Sequence, residues 1–142
     1  MKSMLRLLTC NLLLLCCTSA LADLVVIANP NSGIEKLSKD ELVNLYMGRY
    51  RKLPSGVTAL PIDLGGPAGE KARFYAMLVG KELPEINSYW ARLMFSGQGS
   101  PPLQVNNMDE VLDIVGSSKG PIGYIDRNKL DKRVKLVFDP LQ

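Results

Sequence analysis

The 142-residue chain carries 17 Lys+Arg against 14 Asp+Glu, three cysteines and no histidine. The missing histidine excludes Ser-His-Asp and Cys-His catalysis and every His-based metal centre. Scattered charge of nearly balanced sign leaves no electrostatic footprint for nucleic acid and no polybasic segment for a membrane surface.

Residues 1–22 have the pattern of a cleavable export signal. Lys2 and Arg6 form a short cationic start, Leu7 to Cys17 is mostly apolar, and Ala20-Leu21-Ala22 puts small residues at the −3 and −1 positions of a cleavage site. The apolar run is short for a membrane span. Neither Cys16 nor Cys17 follows the small residue that lipoprotein processing requires. The expected product starts at Asp23 and is periplasmic. Removing 22 of 142 residues leaves 120, takes Cys10, Cys16 and Cys17 with it, and leaves 15 cations against 14 carboxylates. Such a product has no disulfide and no thiol chemistry. Residues 23–142 are expected to form a single domain held by its core alone.

Leu24 to Ala28 is a short apolar run that reads as a strand, stopped by Asn29-Pro30-Asn31-Ser32-Gly33. Ser38 and Glu41 have capping-box spacing for a helix with Leu42, Leu45 and Tyr46 on its apolar face, ending at Gly48. Arg49, Arg51 and Lys52 follow, where cations complement a helix carboxyl end.

The central stretch runs from Gly56 to Gly80: a strand over Val57 to Leu64, a Gly65-Gly66-Pro67 turn, and a helix over Ala68 to Val79. Ala72, Tyr75, Ala76 and Val79 are expected on its inner face, flanked by Phe74, Met77 and Leu78. A glycine turn between a strand and a helix N-terminus is a natural anion site, because free N–H groups and the helix dipole converge there.

Pro84 opens a further helix with Ile86, Trp90, Leu93 and Met94 inward. Ser96 to Pro102 reads as a loop, and Met108, Val111, Leu112 and Val115 mark a fourth helix. Ile122 to Ile125 and Val134 to Phe138 are the last strands, joined closely enough to suggest an antiparallel pair. The order β-α-β-α-α-α-β-β implies an α/β three-layer sandwich, with a mixed, mostly parallel sheet and helices on both faces.

Enzymatic readings are weak. Ser32, Ser96 and Ser117 have no lysine at a recognisable spacing. The carboxylate pairs Asp40-Glu41 and Asp109-Glu110 fall in first helical turns, where the dipole favours them. No catalytic residue, metal ligand or cofactor is assigned.

Several short motifs occur in a familiar order: Val25-Val26-Ile27-Ala28-Asn29, then Leu45-Tyr46-Met47-Gly48-Arg49, Phe74, and Gly120-Pro121-Ile122-Gly123-Tyr124. In these the chain resembles the phosphate-binding proteins of ABC transporters, which have the type 2 periplasmic binding protein fold, and it looks like one lobe of such a protein. The resemblance implies an oxyanion site at the central turn, where the family carries R-x-x-x-S-G-T. Those positions fall on Leu64, Ala68, Gly69 and Glu70, so only the glycine is kept, and the second lobe is missing.

The expectation is therefore an exported, non-catalytic, accessory or sensory binding lobe with an eroded phosphate motif. Its open half-site would be the rim of Asn29, Asn31, Ser32, Gly65, Gly66, Gly69, Gly97, Gln98 and Gly99, placed at the carboxyl ends of the strands. The candidate partners are an oxyanion or other small ligand, and a membrane or periplasmic protein or a second copy completing the cleft. The alternative is a phosphate-binding transport component using backbone amides of Gly65 to Gly69; an enzyme is the third reading.

Overall fold

A computed structural model describes residues 23–142; the expected export signal, residues 1–22, lies outside the described residues. The chain forms β1 (Leu24–Ala28), α1 (Lys39–Tyr46), β2 (Leu60–Leu64), α2 (Glu70–Val79), α3 (Leu83–Phe95), β3 (Leu103–Val105), α4 (Met108–Ser117), β4 (Pro121–Asp126) and β5 (Lys135–Phe138), with a 3₁₀ turn at Arg127–Lys129. The five strands make one sheet in the order β3-β2-β4-β1-β5.

The sheet is mixed and mostly parallel, as expected. β2 runs parallel to β3 and β4, whereas β1 runs antiparallel to both β4 and β5. The expected pairing of the last two strands is corrected: β1 lies between β4 and β5. All five residues of β1 are buried, as a strand flanked on both edges in a covered sheet should be.

Helices cover both faces, and β4 shows why. Tyr124 faces the α1–α2 side, its ring stacked on Phe74 at 3.9 Å and tilted against Tyr46 at 6.1 Å. Gly123 faces α4, where a Cβ would come within 2.5 Å of Val111 Cγ1. A side chain there would hold α4 off the sheet. Gly120 is equally constrained, since a Cβ would lie 2.2 Å from the Thr58 carbonyl oxygen.

Four local expectations need correction. β3 falls just after the loop expected over Ser96 to Pro102, in a stretch assigned to no element: three residues with Pro101-Pro102 before them carry little periodic signal. The central strand starts at Leu60, not Val57, because Leu53 N–H donates to Val57 O and Ala59 N–H to Arg51 O, folding 51–59 back on itself. α2 buries Phe74, Tyr75 and Leu78 and exposes Ala72 and Ala76; the larger side chains take the core. Met94 is 53% exposed, although Ile86 and Trp90 on the same helix are buried. The α1 capping box forms as read, with Glu41 N–H donating to Ser38 Oγ at 3.1 Å and Ser38 N–H to Glu41 Oε2 at 2.8 Å.

Candidate functional site

The carboxyl ends of β2, β3 and β4 share one end of the sheet. Between them lies an open cleft of about 250 Å³, walled by the β2–α2 turn, the start of α4 and the end of β4. Leu64, Ala68 and Glu70, the three altered motif positions, all line it. α2 starts there at Glu70, after an N-cap Gly69 in the left-handed region (φ 80°), with no side-chain cap on its first amides.

The charge of this cleft is negative. Glu70, Asp109 and Asp126 line it against a single cation, Lys129, which pairs with Asp109 at 3.5 Å. Asp126 Oδ1 is buried without a hydrogen-bond partner, and the Asp126 N–H donates to Met108 Sδ at 3.3 Å. The two asparagines in the wall serve α4: Asn107 Oδ1 accepts from Glu110 N–H, and Asn106 N–H donates to Glu110 Oε2. The cationic donor in the wall, Lys129, is paired with Asp109, and the lining holds no arginine or hydroxyl of the kind that holds a buried oxyanion.

Below the cleft sits a polar cluster that sequence reading missed. Asp63, on β2, is buried, and its carboxylate accepts from Tyr75 Oη at 2.9 Å and Tyr124 Oη at 3.1 Å. Lys71 Nζ approaches it at 3.8 Å and donates to Gln104 Oε1 on β3. Burial holds the Asp63 carboxyl above the usual carboxylate range, with Lys71 and the two hydroxyls pulling the other way. Burial and the Asp63 charge push both tyrosines far above the ordinary phenol value. Tyr46 Oη donates to the carbonyls of Ile62 and Ile122, tying α1 to β2 and β4. The cluster ties α2 to β2 and β4. Its only sequence signal was an acid in the middle of an apolar strand.

The nine residues expected to form one rim do not come together. Gly65, Gly66 and Gly69 are at the cleft end. β1 runs the other way, so Asn29, Asn31 and Ser32 after it lie at the opposite end of the sheet, about 16 Å off for a five-residue strand. Gly97, Gln98 and Gly99 precede β3 and also lie at that far end, where the Gln98 carbonyl accepts from Arg51 Nη2.

Local duties account for much of the set. Asn29 Nδ2 donates to the carbonyls of Val115 and Gly116, closing the end of α4, while its Oδ1 accepts from Asn31 N–H. Ser32 is buried and its Oγ accepts from Ile34 N–H. Gly65 N–H donates to Val105 O at 2.7 Å, and a Cβ on Gly66 would lie 3.0 Å from Asn106 O. Gly97 N–H and Gln98 N–H return to the last turn of α3.

No protein-family profile matches the chain, and no curated protein matches it in sequence. Solved structures do match its fold. An ABC-type phosphate transport receptor from Vibrio cholerae superposes with a TM-score of 0.62 at 16% identity, over 82% of this chain and 45% of that one. A protein from Clostridium perfringens solved with bound phosphate, described as a phosphate ABC transporter substrate-binding protein, gives 0.61 at 15%, over 82% and 44%. PstS from Borrelia burgdorferi gives 0.59 at 15%, over 82% and 47%. The chain spans less than half the length of each. It therefore has an α/β fold like that of phosphate ABC transporter substrate-binding proteins, in the extent of a single lobe.

Proposed function

We propose that the chain is an exported, periplasmic, non-catalytic binding lobe whose cleft at the carboxyl ends of β2 and β4 has lost phosphate capture and serves an accessory or sensory role. The observation that carries this reading is the lining of that cleft: Leu64, Ala68 and Glu70 at the motif positions, with Asp109 and Asp126 opposite. A micromolar phosphate site needs roughly 8 kcal/mol. One exposed helix N-terminus contributes at most ~1 kcal/mol toward an anion. Three carboxylates against one paired lysine oppose even that.

The backbone-amide alternative is weaker for a specific reason. The Gly65 N–H, which would belong to the anion nest, is already committed to the Val105 carbonyl. As a half-cleft, the site calls for a partner protein or a second copy to close it over a ligand.

Isothermal calorimetry tests the reading. Wild-type protein should give no saturable phosphate heat at micromolar concentrations and neutral pH. The Leu64→Arg, Ala68→Ser, Glu70→Thr variant should gain weak affinity, limited because this lobe supplies only one wall of a cleft. Because Leu64 is buried, Glu70→Thr alone, with the fold checked by circular dichroism, provides the milder version. Micromolar binding by the wild type would return the chain to phosphate capture.

A further inference from the structure

At the far end of the sheet from the cleft, the chain shows a second surface of different chemistry. The loop after α1, residues 47–52, packs beside α3 and the α3–β3 connection. Three shallow grooves lie around these elements, the second and third sharing Trp90, Pro101 and Pro102. The first is lined by Arg49 and Arg92, the second by Tyr50, Arg51 and Leu103, and the third by Met94 and Pro101 and, toward the cluster under the cleft, by Asp63 and Lys71; Trp90 lies between the second and third.

Apolar side chains stand out of this surface. Phe95, at the end of α3, is 98% exposed, and Tyr50, Met94 and Leu103 are each exposed on more than two-fifths of their area. Most exposed single hydrophobes mean little, but several on one side mark an interaction surface. The arginines and the lysine among them stand outside the ion pairs: none of those among the described residues involves Arg49, Arg51, Lys52 or Arg92. The acids that line the grooves are held by lysines: Glu85 pairs with Lys81 at 3.4 Å and the buried Asp63 with Lys71 at 3.8 Å.

From this juxtaposition we infer that the side formed by the α1–β2 loop and the end of α3 is a docking surface for an anionic lipid membrane, with Phe95 and Met94 entering the headgroup region and Arg49, Arg51, Lys52 and Arg92 meeting lipid phosphates. Charge complementarity selects the occupant. The sequence holds no polybasic run for a membrane surface, but the fold brings Arg92 of α3 to the side of the loop that carries Arg49, Arg51 and Lys52. Cations outside ion pairs around protruding apolar groups match an anionic interface, where both contributions add. The grooves are shallow and open and Phe95 lines none of them, so the surface offers a deformable bilayer more than it offers a rigid, shape-matched protein. Docking on this end leaves the cleft at the other end of the sheet uncovered. The surface therefore stands independently of what the cleft binds.

Vesicle co-sedimentation decides it, using protein that starts at Asp23, since the described strands and helices close one core among themselves within residues 24–138. Vesicles of phosphatidylglycerol and phosphatidylethanolamine should pull the protein down, and phosphatidylcholine vesicles should not. Each cation near an anionic surface changes partitioning about fivefold, so Arg49→Gln, Arg51→Gln, Arg92→Gln combined should lower it about a hundredfold. Phe95→Ser should weaken it with the charge unchanged. Lys132→Gln, beside the opposite edge strand, should have no effect. Absence of binding to the anionic vesicles overturns the inference and leaves the surface to an acidic protein. Binding that survives both the triple variant and Phe95→Ser also overturns it.

Discussion

Asp63 is where a single residue does most to define the region under the cleft. Its carboxylate is held above the usual range by burial, against the pull of Lys71, Tyr75 and Tyr124. A carboxyl whose folded value lies above its unfolded value binds its proton more tightly when folded, so it contributes most stability at low pH. That contribution is lost as pH rises from about 4 through the raised folded value. The stability of wild type relative to Asp63→Asn should therefore fall between pH 4 and pH 7 in urea titrations. A difference that grows over that interval would mean that the Lys71 pairing outweighs burial. Tyr75→Phe takes away one of two hydroxyl donors from a buried carboxylate and should cost about 1–3 kcal/mol at neutral pH. The motif positions above it were legible from spacing alone, because Leu64, Ala68 and Glu70 do line one cleft. The Asp63 cluster was not, since its partners come from α2 and β4, 12 and 61 residues away.

Among the elements, the contact between α1 and α3 depends on one glycine. Gly48 ends α1 with φ 75°, and a Cβ there would lie 2.7 Å from Trp90 Cη2. Gly48→Ala meets both a left-handed backbone and a fixed ring, and should destabilise by about 1–3 kcal/mol in chemical denaturation. Trp90→Ala should cost roughly 3–5 kcal/mol, for the ring is buried and packed on Tyr89. A loss below about 1 kcal/mol would show that the α1–α3 contact does not depend on the ring. α1 was readable to the residue because capping is local chemistry. The inner face of α2 was misread, since Ala72 and Ala76 fit the helical period as well as Phe74 and Leu78 do. Volume decided between them.

For the molecule as a whole, alternation of strands and helices was enough to place an α/β sheet with both faces covered. Its mixed character was expected from a pair of the last two strands, whereas it comes from β1 between them. Strand direction was not readable, and the site suffered for it. β1 runs against β4, so the loop holding Asn29, Asn31 and Ser32 lies at the opposite end of the sheet from the turn holding Gly65, Gly66 and Gly69. Register and direction are set by pairing over long sequence separations, such as Leu24 with Asp126, and apolar strands flanked on both sides carry little pattern to fix them. The central claim concerns the end of the sheet that does hold the motif positions. Amide-resolved NMR of the ¹⁵N-labelled protein, titrated with phosphate at constant ionic strength, tests it most directly. The Gly66, Gly69 and Glu70 amide signals should stay in place, or drift without saturating, up to millimolar phosphate. Saturable shifts of those amides at micromolar phosphate would contradict the account.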